Sequence, residues 1–218
     1  TDAFTERRSE MSTREKIIEV SLELFAKRGF SGVSVRDIAS AVGVRESALY
    51  KHFKNKQDIL DKIIVEMQDR IHKTYIEQQV PEAVSKDVAK GYRQLSVEQL
   101  KDISWQLFCL YTKDPMVSNY RKLLMREMLV NEQIADLYSE AFITGVLKRQ
   151  GETFLALTED GMFRKEDAKI VALHFYGPIF MLFQLYDCHP EQEDEIKRML
   201  EQHVEAFGRS YENHETKK

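Results

Sequence analysis

Glycine and proline are scarce in this chain of 218 residues, with nine and four copies, roughly half of average usage. Turn-rich all-β folds use both freely, so the shortage argues for helices. The two cysteines, Cys109 and Cys188, are too few for a disulfide framework and point to a reducing compartment. Long hydrophobic runs are missing too. The longest, 175–186, is twelve residues and holds Gly177, Pro178 and Gln184, too short to cross a bilayer. The opening stretch TDAFTERRSEMS has no apolar signal-peptide core. A cytoplasmic protein with no membrane partner is expected. Disorder is excluded by 43% hydrophobic and 31% charged residues. The length suits one large domain, or a small one fused to a larger one, and buries a core without a staple.

Signatures of catalysis are equally absent. The six histidines, His52, His72, His174, His189, His203 and His214, form no HxxxH pair and no Cys/His ligand cluster. Cys188 beside His189 has no second pair. There is no nucleophile elbow, no alternating strand pattern to hold one, and no glycine-rich phosphate loop. No metal, no cofactor and no enzymatic activity are expected.

What is present is an uneven charge distribution. The chain carries a net −4, which alone says nothing in favour of nucleic acid. Yet 1–60 carries +2 and 61–218 carries −6, and within 27–56 seven basic residues face two acidic ones. A basic N-terminal module on an acidic body fits a protein that offers one end to a polyanion. A chance fluctuation of surface charge gives the same counts.

Helical signals follow one another along the chain. Ser12-Thr13-Arg14-Glu15 is a capping box, followed by a 3.6-residue apolar period through Ile17, Ile18, Leu22 and Phe25. Gly29 ends this helix as a left-handed cap. Ser34-Val35-Arg36-Asp37 opens a second, with Ile38, Ala39 and Val42 inside and Gly43 closing it. A third runs from Arg45 to His52 or Phe53, with only Ala48, Leu49 and Phe53 facing inward. A fourth opens at Asn55 and runs to about Gln78 on a stripe of Ile59, Leu60, Ile63, Ile64, Met67 and Ile71. At 1.5 Å per residue that is ~34 Å. Residues 80–96 read as a connector with one weak turn of helix. Further helices are expected over 97–112 (capped by Ser96), 114–130 (Asp114 cap, Pro115 at the first position), 132–157, 166–187 and 191–212. Residues 158–165 form a loop. Gly145 and Gly151 kink or weaken the 132–157 helix.

The second and third helices, joined at Gly43, make a helix-turn-helix. A short first helix crosses the DNA backbone, the glycine turn redirects the chain, and the second helix enters the major groove by its N-terminal end. The outward residues Arg45, Glu46, Ser47, Tyr50, Lys51 and His52 can all form hydrogen bonds. An ordinary surface helix is also polar outside, so periodicity alone is weak.

The residues themselves are more specific. Thr13-Arg14-Glu15-Lys16-Ile17-Ile18, Leu24-Phe25-Ala26-Lys27-Arg28-Gly29-Phe30, Val33-Ser34-Val35-Arg36-Asp37-Ile38-Ala39, Ala41-Val42-Gly43-Val44, Ala48-Leu49-Tyr50-Lys51-His52-Phe53-Lys54-Asn55-Lys56 and Ile59-Leu60 together resemble the DNA-binding domain of TetR-type transcriptional regulators. The remaining 155 or so residues are similar to that family only in length and helical pattern. The resemblance implies that Tyr50 and His52 touch the phosphate backbone or flank the groove. It implies that Lys56 binds a phosphate at the start of the fourth helix. It gives Ser34 both the cap and a phosphate contact, and Leu49 and Phe53 core positions. Arg36 is a further phosphate contact; Arg45, Glu46, Ser47 and Lys51 fall where the family reads bases.

Two departures stand out. Arg45 replaces the family's frequent Ser or Thr cap, and arginine caps poorly and opposes the helix dipole there. A locally costly cation at the groove end suggests a DNA contact, to guanine or to phosphate, against a tolerated surface arginine. Ala48 replaces a frequent Thr or Ser, which removes a hydroxyl and leaves a methyl for thymine. Glu46 suits the helix dipole as well as it suits a cytosine N4.

The larger remainder carries two patterns. Met67, Trp105, Phe108, Cys109, Tyr120, Met125, Met128 and Phe142 are bulky and adaptable. Each is ordinary core material, and such residues also line pockets for apolar ligands; the resemblance implies one there. The 166–187 helix is apolar nearly all round, and the 191–212 helix carries a clean apolar stripe. A helix apolar all round must be buried all round. The resemblance supplies a second subunit, pairing through Ile170, His174, Phe180, Met199, His203 and Phe207 in a four-helix bundle.

The expectation is therefore an all-α chain. Residues 1–55 form a three-helix helix-turn-helix DNA-binding domain; 56–218 form a larger helical ligand-binding and dimerisation domain, with 56–78 linking the two. The expected partners are double-stranded DNA as a palindromic operator, a second copy of the chain, and an unknown small, mostly apolar ligand that releases a repressor. An activator or a protein-controlled regulator of the same fold, or a helical enzyme or binding domain with a borrowed module, is the alternative.

Overall fold

The computed structural model describes residues 11–77 and 88–213. Among the described residues the chain forms eleven α-helices and one 3-10 turn; the only extended pairing is an isolated bridge between Phe163 and Glu212. The fold is all-α, as expected from the shortage of turn formers.

Helix α1 (Thr13–Arg28) starts on the expected capping box: the Glu15 N–H donates to Ser12 Oγ and the Ser12 N–H to Glu15 Oε2. Gly29 ends it at φ 78°, ψ 157°, not in the left-handed helical well expected. That combination is open essentially to glycine alone. Helices α2 (Val35–Val42), α3 (Glu46–Leu49) and α4 (Lys56–Glu77) follow. Within the connector, 88–93 form α5 (Val88–Arg93) and 94–96 lead to the next helix, while 80–87, with Gln78, lie outside the described residues. Next come α6 (Val97–Thr112), on a Ser96–Gln99 capping box, and α7 (Pro115–Glu127).

The expected helix over 132–157 is two helices, α8 (Glu132–Phe142) and α9 (Thr144–Glu159). The break is at Ile143, at φ −130°, ψ −85°. The chain folds back so closely that a Cβ on Gly145 would lie 2.1 Å from the Glu140 carbonyl oxygen. Gly145 thus marks a break rather than a weak spot: only hydrogen fits there.

Helix α10 (Ala168–Cys188) is capped by Asp167, and α11 (Glu193–Tyr211) follows the short turn Pro190–Gln192. At 21 residues α10 is long and apolar enough, by length and composition, to cross a membrane. The twelve-residue run did not suggest this, because the helix extends back through Val171 and Ala172 and continues past Pro178. Val171, Ala172, Leu182 and Phe183 are nevertheless buried in the protein.

Packing divides the chain elsewhere than the expected functional boundary between 55 and 56. One compact unit comprises Thr1–Thr74 with Pro115–Tyr138, and the other Tyr75–Asp114 with Ser139–Lys218. In the N-terminal unit the apolar stripe of α4 (Ile59, Leu60, Ile63, Met67) is buried. Helix α7 packs along α1. This second cover explains why Glu19 and Val20 are buried although they lie off the first apolar face of α1. In the C-terminal unit α10 packs on α9 and α11, and α11 on α6. One core joins Phe154, Leu157, Val171, Ala172, Phe207 and Tyr211; another joins Phe108, Leu182, Phe183, Ile196 and Leu200.

Candidate nucleic-acid interface

The helix-turn-helix is built by two local devices. At the start of α2, Ser34 Oγ accepts from the Asp37 N–H (3.1 Å), while the Ser34 N–H donates to Asp37 Oδ2 (2.8 Å). The Ser34 backbone and hydroxyl hydrogen bonds, with the nearby Arg28 cation, hold the Asp37 carboxyl below its ordinary range. At its end Gly43 sits in the left-handed well (φ 79°, ψ 30°), and its N–H returns to the Ala39 and Ser40 carbonyls. The chain turns there and enters α3. Leu49 and Phe53 are buried beneath, at 0% and 2% exposure.

The outer face of α3 matches the sequence reading. Arg45, Glu46, Ser47, Tyr50, Lys51 and His52 are all exposed, as are Ser34 and Arg36 on α2. Arg45 holds the N-cap position without a side-chain cap. Among the described residues no ion pair engages Arg36, Arg45 or Lys51. Arg28 is different: it donates to the Gly32 carbonyl and pairs with Asp37. The cations on the α3 side thus keep their charge available to a polyanion. Helix α3 is four residues long rather than eight or nine, because the chain leaves the helical ladder in turns after Leu49.

Lys56 is placed differently from a purely surface anchor. Its Nζ donates to the carbonyls of Phe30 and Val33, both at 2.8 Å, and lies 4.3 Å from the centre of the Phe30 ring. An ammonium has three N–H donors, so one is left for a phosphate. The sequence motif did not reveal this internal role. Lys56→Met is expected to cost about 1.5–3 kcal/mol of stability, the range for hydrogen bonds to a charged group. Denaturant unfolding of both chains checks this.

A second holder of the same turn comes from α7. Glu127 is 8% exposed, and its Oε1 accepts from the Phe30 N–H at 2.9 Å. The turn between α1 and α2 is gripped by its N–H from Glu127 and by its carbonyl from Lys56. Sequence reading missed Glu127. Its place in the helical period of Val117, Tyr120, Leu123 and Leu124, on a buried face that also holds Arg121, was the available signal.

The eight expected pocket residues are shared between the units. Met67, Tyr120, Met125 and Met128 belong to the N-terminal unit, with Met67 and Tyr120 in its core. Trp105, Phe108, Cys109 and Phe142 belong to the C-terminal unit. There Trp105 stacks on Phe108 at 5.3 Å, Phe108 on Phe183 at 5.2 Å, and Tyr111 bridges Phe183 to Phe142. Burial pushes the Cys109 thiol up.

The six expected interface residues also divide. Ile170 and His174 are exposed on α10, with Phe180 half-buried. On α11, Met199 is half-buried, and His203 Nε2 hydrogen-bonds the Phe175 carbonyl at 2.8 Å. Phe207 is 8% exposed and packs on Phe154, Phe175 and Tyr211 of its own chain. Its stripe serves the intramolecular core. The outward apolar face is instead on α10, where Ile170, Leu173 and Met181 are 49%, 50% and 65% exposed.

Comparison with known proteins is in keeping with this geometry. The profile described as "Bacterial regulatory proteins, tetR family" matches residues 17–63, the stretch that holds α2, α3 and the start of α4. The chain is 23% identical over 203 residues to the probable HTH-type transcriptional regulator YttP of Bacillus subtilis (strain 168), covering 92% of this chain and 89% of that protein. It is 26% identical over 178 residues to the HTH-type transcriptional repressor KstR2 of Rhodococcus jostii (strain RHA1), covering 76% and 80%. Among solved structures it is similar to SmeT, the repressor of a Stenotrophomonas maltophilia multidrug efflux pump, in its triclosan complex. That likeness has a TM-score of 0.65 at 22% identity and covers 94% of this chain and 93% of that one.

Proposed function

We propose, for a chain that belongs to the TetR family of bacterial regulatory proteins, that it is a cytoplasmic homodimeric repressor released from a palindromic operator by a small, mostly apolar molecule. That it is a DNA-binding transcriptional regulator follows from the family. The observation that carries the finer reading is the α3 face: six exposed polar residues over a buried Leu49 and Phe53, with Arg45 and Lys51 engaged by no described carboxylate. Arg45, Glu46, Ser47 and Lys51 read base edges in the major groove. Ser34, Arg36, Tyr50, His52 and the third N–H of Lys56 hold phosphates.

Arg45→Ala is the direct test. It is expected to weaken operator binding by about 1–3 kcal/mol per half-site and to relax preference at one or two base positions. Selection from a random DNA pool with both proteins gives both quantities. A loss equal on every sequence would move Arg45 from the bases to the phosphates.

Two reading helices on a two-fold axis require a palindrome. The exposed apolar stripe of α10 is the surface suited to make that axis. Leu173→Glu is expected to leave the fold intact, because Leu173 is half exposed, and to give monomers in sedimentation. A stable dimer from that variant would remove α10 from the interface.

Release works through α4, a continuous helix of 22 residues. Its first turn belongs to the DNA-binding module, and its residues from Tyr75 belong to the C-terminal unit. A ligand that favours one setting of this helix shifts operator affinity by its differential affinity for the two states. Operator DNA weakens the ligand by the same factor. The likeness to a repressor solved with triclosan supports a small-molecule trigger.

A further inference from the structure

The last turn of α7 brings a cation to the DNA-binding module from outside the stretch that carries the family motif. Glu127 grips the turn between α1 and α2 through the Phe30 N–H. Its neighbour Arg126 lies against the same turn. Gly29 is buried, and a Cβ built on it would stand 3.5 Å from Arg126 Nε and 3.7 Å from Arg126 Cδ. The stem of Arg126 is laid over Gly29, yet the residue as a whole is exposed. Among the described residues no ion pair or hydrogen bond engages its guanidinium. The acids of this turn are occupied: Glu127 by the Phe30 N–H, and Asp37 by Arg28 and the Ser34 cap.

The turn leads straight to the residues read above as phosphate contacts. From Gly29 it passes to Phe30 and Val33, whose carbonyls take two of the three N–H groups of Lys56, and Ser34 follows as the cap of α2. By standard backbone dimensions, Arg126 Nε and Lys56 Nζ are at most about 13 Å apart. A DNA strand presents a phosphate about every 3.4 Å of helix axis, so a strand that meets Lys56 carries several more within that span. A cation in the last turn of a helix also suits the helix dipole, and Arg126 holds that place on α7. The dipole asks only for positive charge near the last carbonyls of α7. It does not require a stem laid over the end of another helix.

Resting on the DNA-binding reading above, we propose that Arg126 is a further phosphate contact, its guanidinium donating to the strand that Lys56 and Ser34 hold. The DNA-facing surface then draws on α7 as well as on residues 34–56. Helix α7 supplies one side chain that fixes the turn and, next to it, one that fixes the operator. A planar guanidinium offers a phosphate two parallel N–H donors, and a phosphate contact carries no base preference.

The test uses the full chain on an operator selected from a random DNA pool and on an unrelated duplex of equal length. Binding is followed by fluorescence anisotropy between about 50 and 200 mM salt. Arg126→Gln, which keeps the stem, is expected to weaken both duplexes about fivefold or more and to lower the salt slope by about 1 per bound subunit. Arg126→Lys should keep most of the slope. Arg198→Gln removes an exposed cation of α11 in the other unit that has no described partner, and it should leave the slope as in the parent. Denaturant unfolding is measured on all four proteins. If Arg126→Gln keeps the parent slope, whether or not its unfolding midpoint falls, Arg126 serves only the helix end and the assignment is overturned. It is overturned equally if Arg126→Lys or Arg198→Gln loses as much slope as Arg126→Gln. A parent that binds no duplex overturns the DNA-binding reading and this contact together; a parent that binds, with an unchanged Arg126→Gln, loses this contact alone.

Discussion

Phe207→Glu is expected to unfold the C-terminal unit. The ring lies 4.7 Å from Tyr211, 4.9 Å from Phe175 and 5.2 Å from Phe154, and the residue is 8% exposed. Removing a buried aromatic side chain costs about 3–5 kcal/mol, and a carboxylate in its place adds an unpaired charge among rings. Such a sum takes up a large share of a typical domain's stability. Thermal denaturation followed at 222 nm should show loss of the cooperative transition or a large drop in its midpoint. Phe207→Leu, which keeps an apolar group of related size, should cost far less. If Phe207→Glu melts like the parent and is merely monomeric, Phe207 belongs to an intersubunit surface and the intramolecular packing is misassigned. Leu173→Glu on α10 is the counterpart: it tests pairing without touching this core.

Glu127→Ala is expected to damage DNA binding from outside the reading helices. Its carboxylate accepts the Phe30 N–H at the turn that leads into α2. Losing a charge-assisted acceptor leaves that amide unsatisfied at a part-buried site, a cost of about 1.5–3 kcal/mol. The turn would then be held by Lys56, through the carbonyls of Phe30 and Val33, and by Arg28, through the carbonyl of Gly32. Operator affinity should fall on all sequences alike, since no base contact is removed, and the N-terminal unit should unfold at lower denaturant. The double variant with Lys56→Met should differ from the sum of the two singles, because both side chains grip the backbone of one residue, Phe30. Strict additivity would show that the two holders act independently, and an unchanged affinity for Glu127→Ala would show that the turn does not need Glu127.

The reading module was legible because its determinants are local. Ser12 with Glu15, Ser34 with Asp37, and Ser96 with Gln99 lie three residues apart, so each capping box is visible in the sequence and each forms. Gly43 is similar: a left-handed residue after a short apolar period predicts its own turn. The Ile143 break was not legible, since it depends on the path of the chain back past Glu140 and only then explains Gly145. Nor was the second cover of α1. Its source, α7, begins 87 residues after Arg28 ends α1, and no periodicity within α1 names a partner that distant. For the same reason Met67 and Phe108, both apolar and both expected at one pocket, fall in different units. Residue type announced burial but not against what. Lys56 shows the mixed case: its motif position was readable, while its carbonyl acceptors 23 and 26 residues away were not.

The N-terminal unit is assembled from two separate stretches, and this has a consequence in polymer terms. Residues 75–114 leave it after Thr74 and bring the chain back at Pro115, so this segment of about 40 residues is a loop that must close whenever the unit forms. Closing a flexible loop of that length costs on the order of 3 kcal/mol of chain entropy. Once the C-terminal unit has folded, the segment is no longer a free coil, and much of that cost is already met. The DNA-binding unit therefore draws part of its stability from the order of the other. A fragment ending near residue 60 would lose both that help and the α7 cover over Glu19 and Val20. The two units should melt in one calorimetric transition, and whatever stiffens the C-terminal unit should raise the melting of the DNA-binding unit as well.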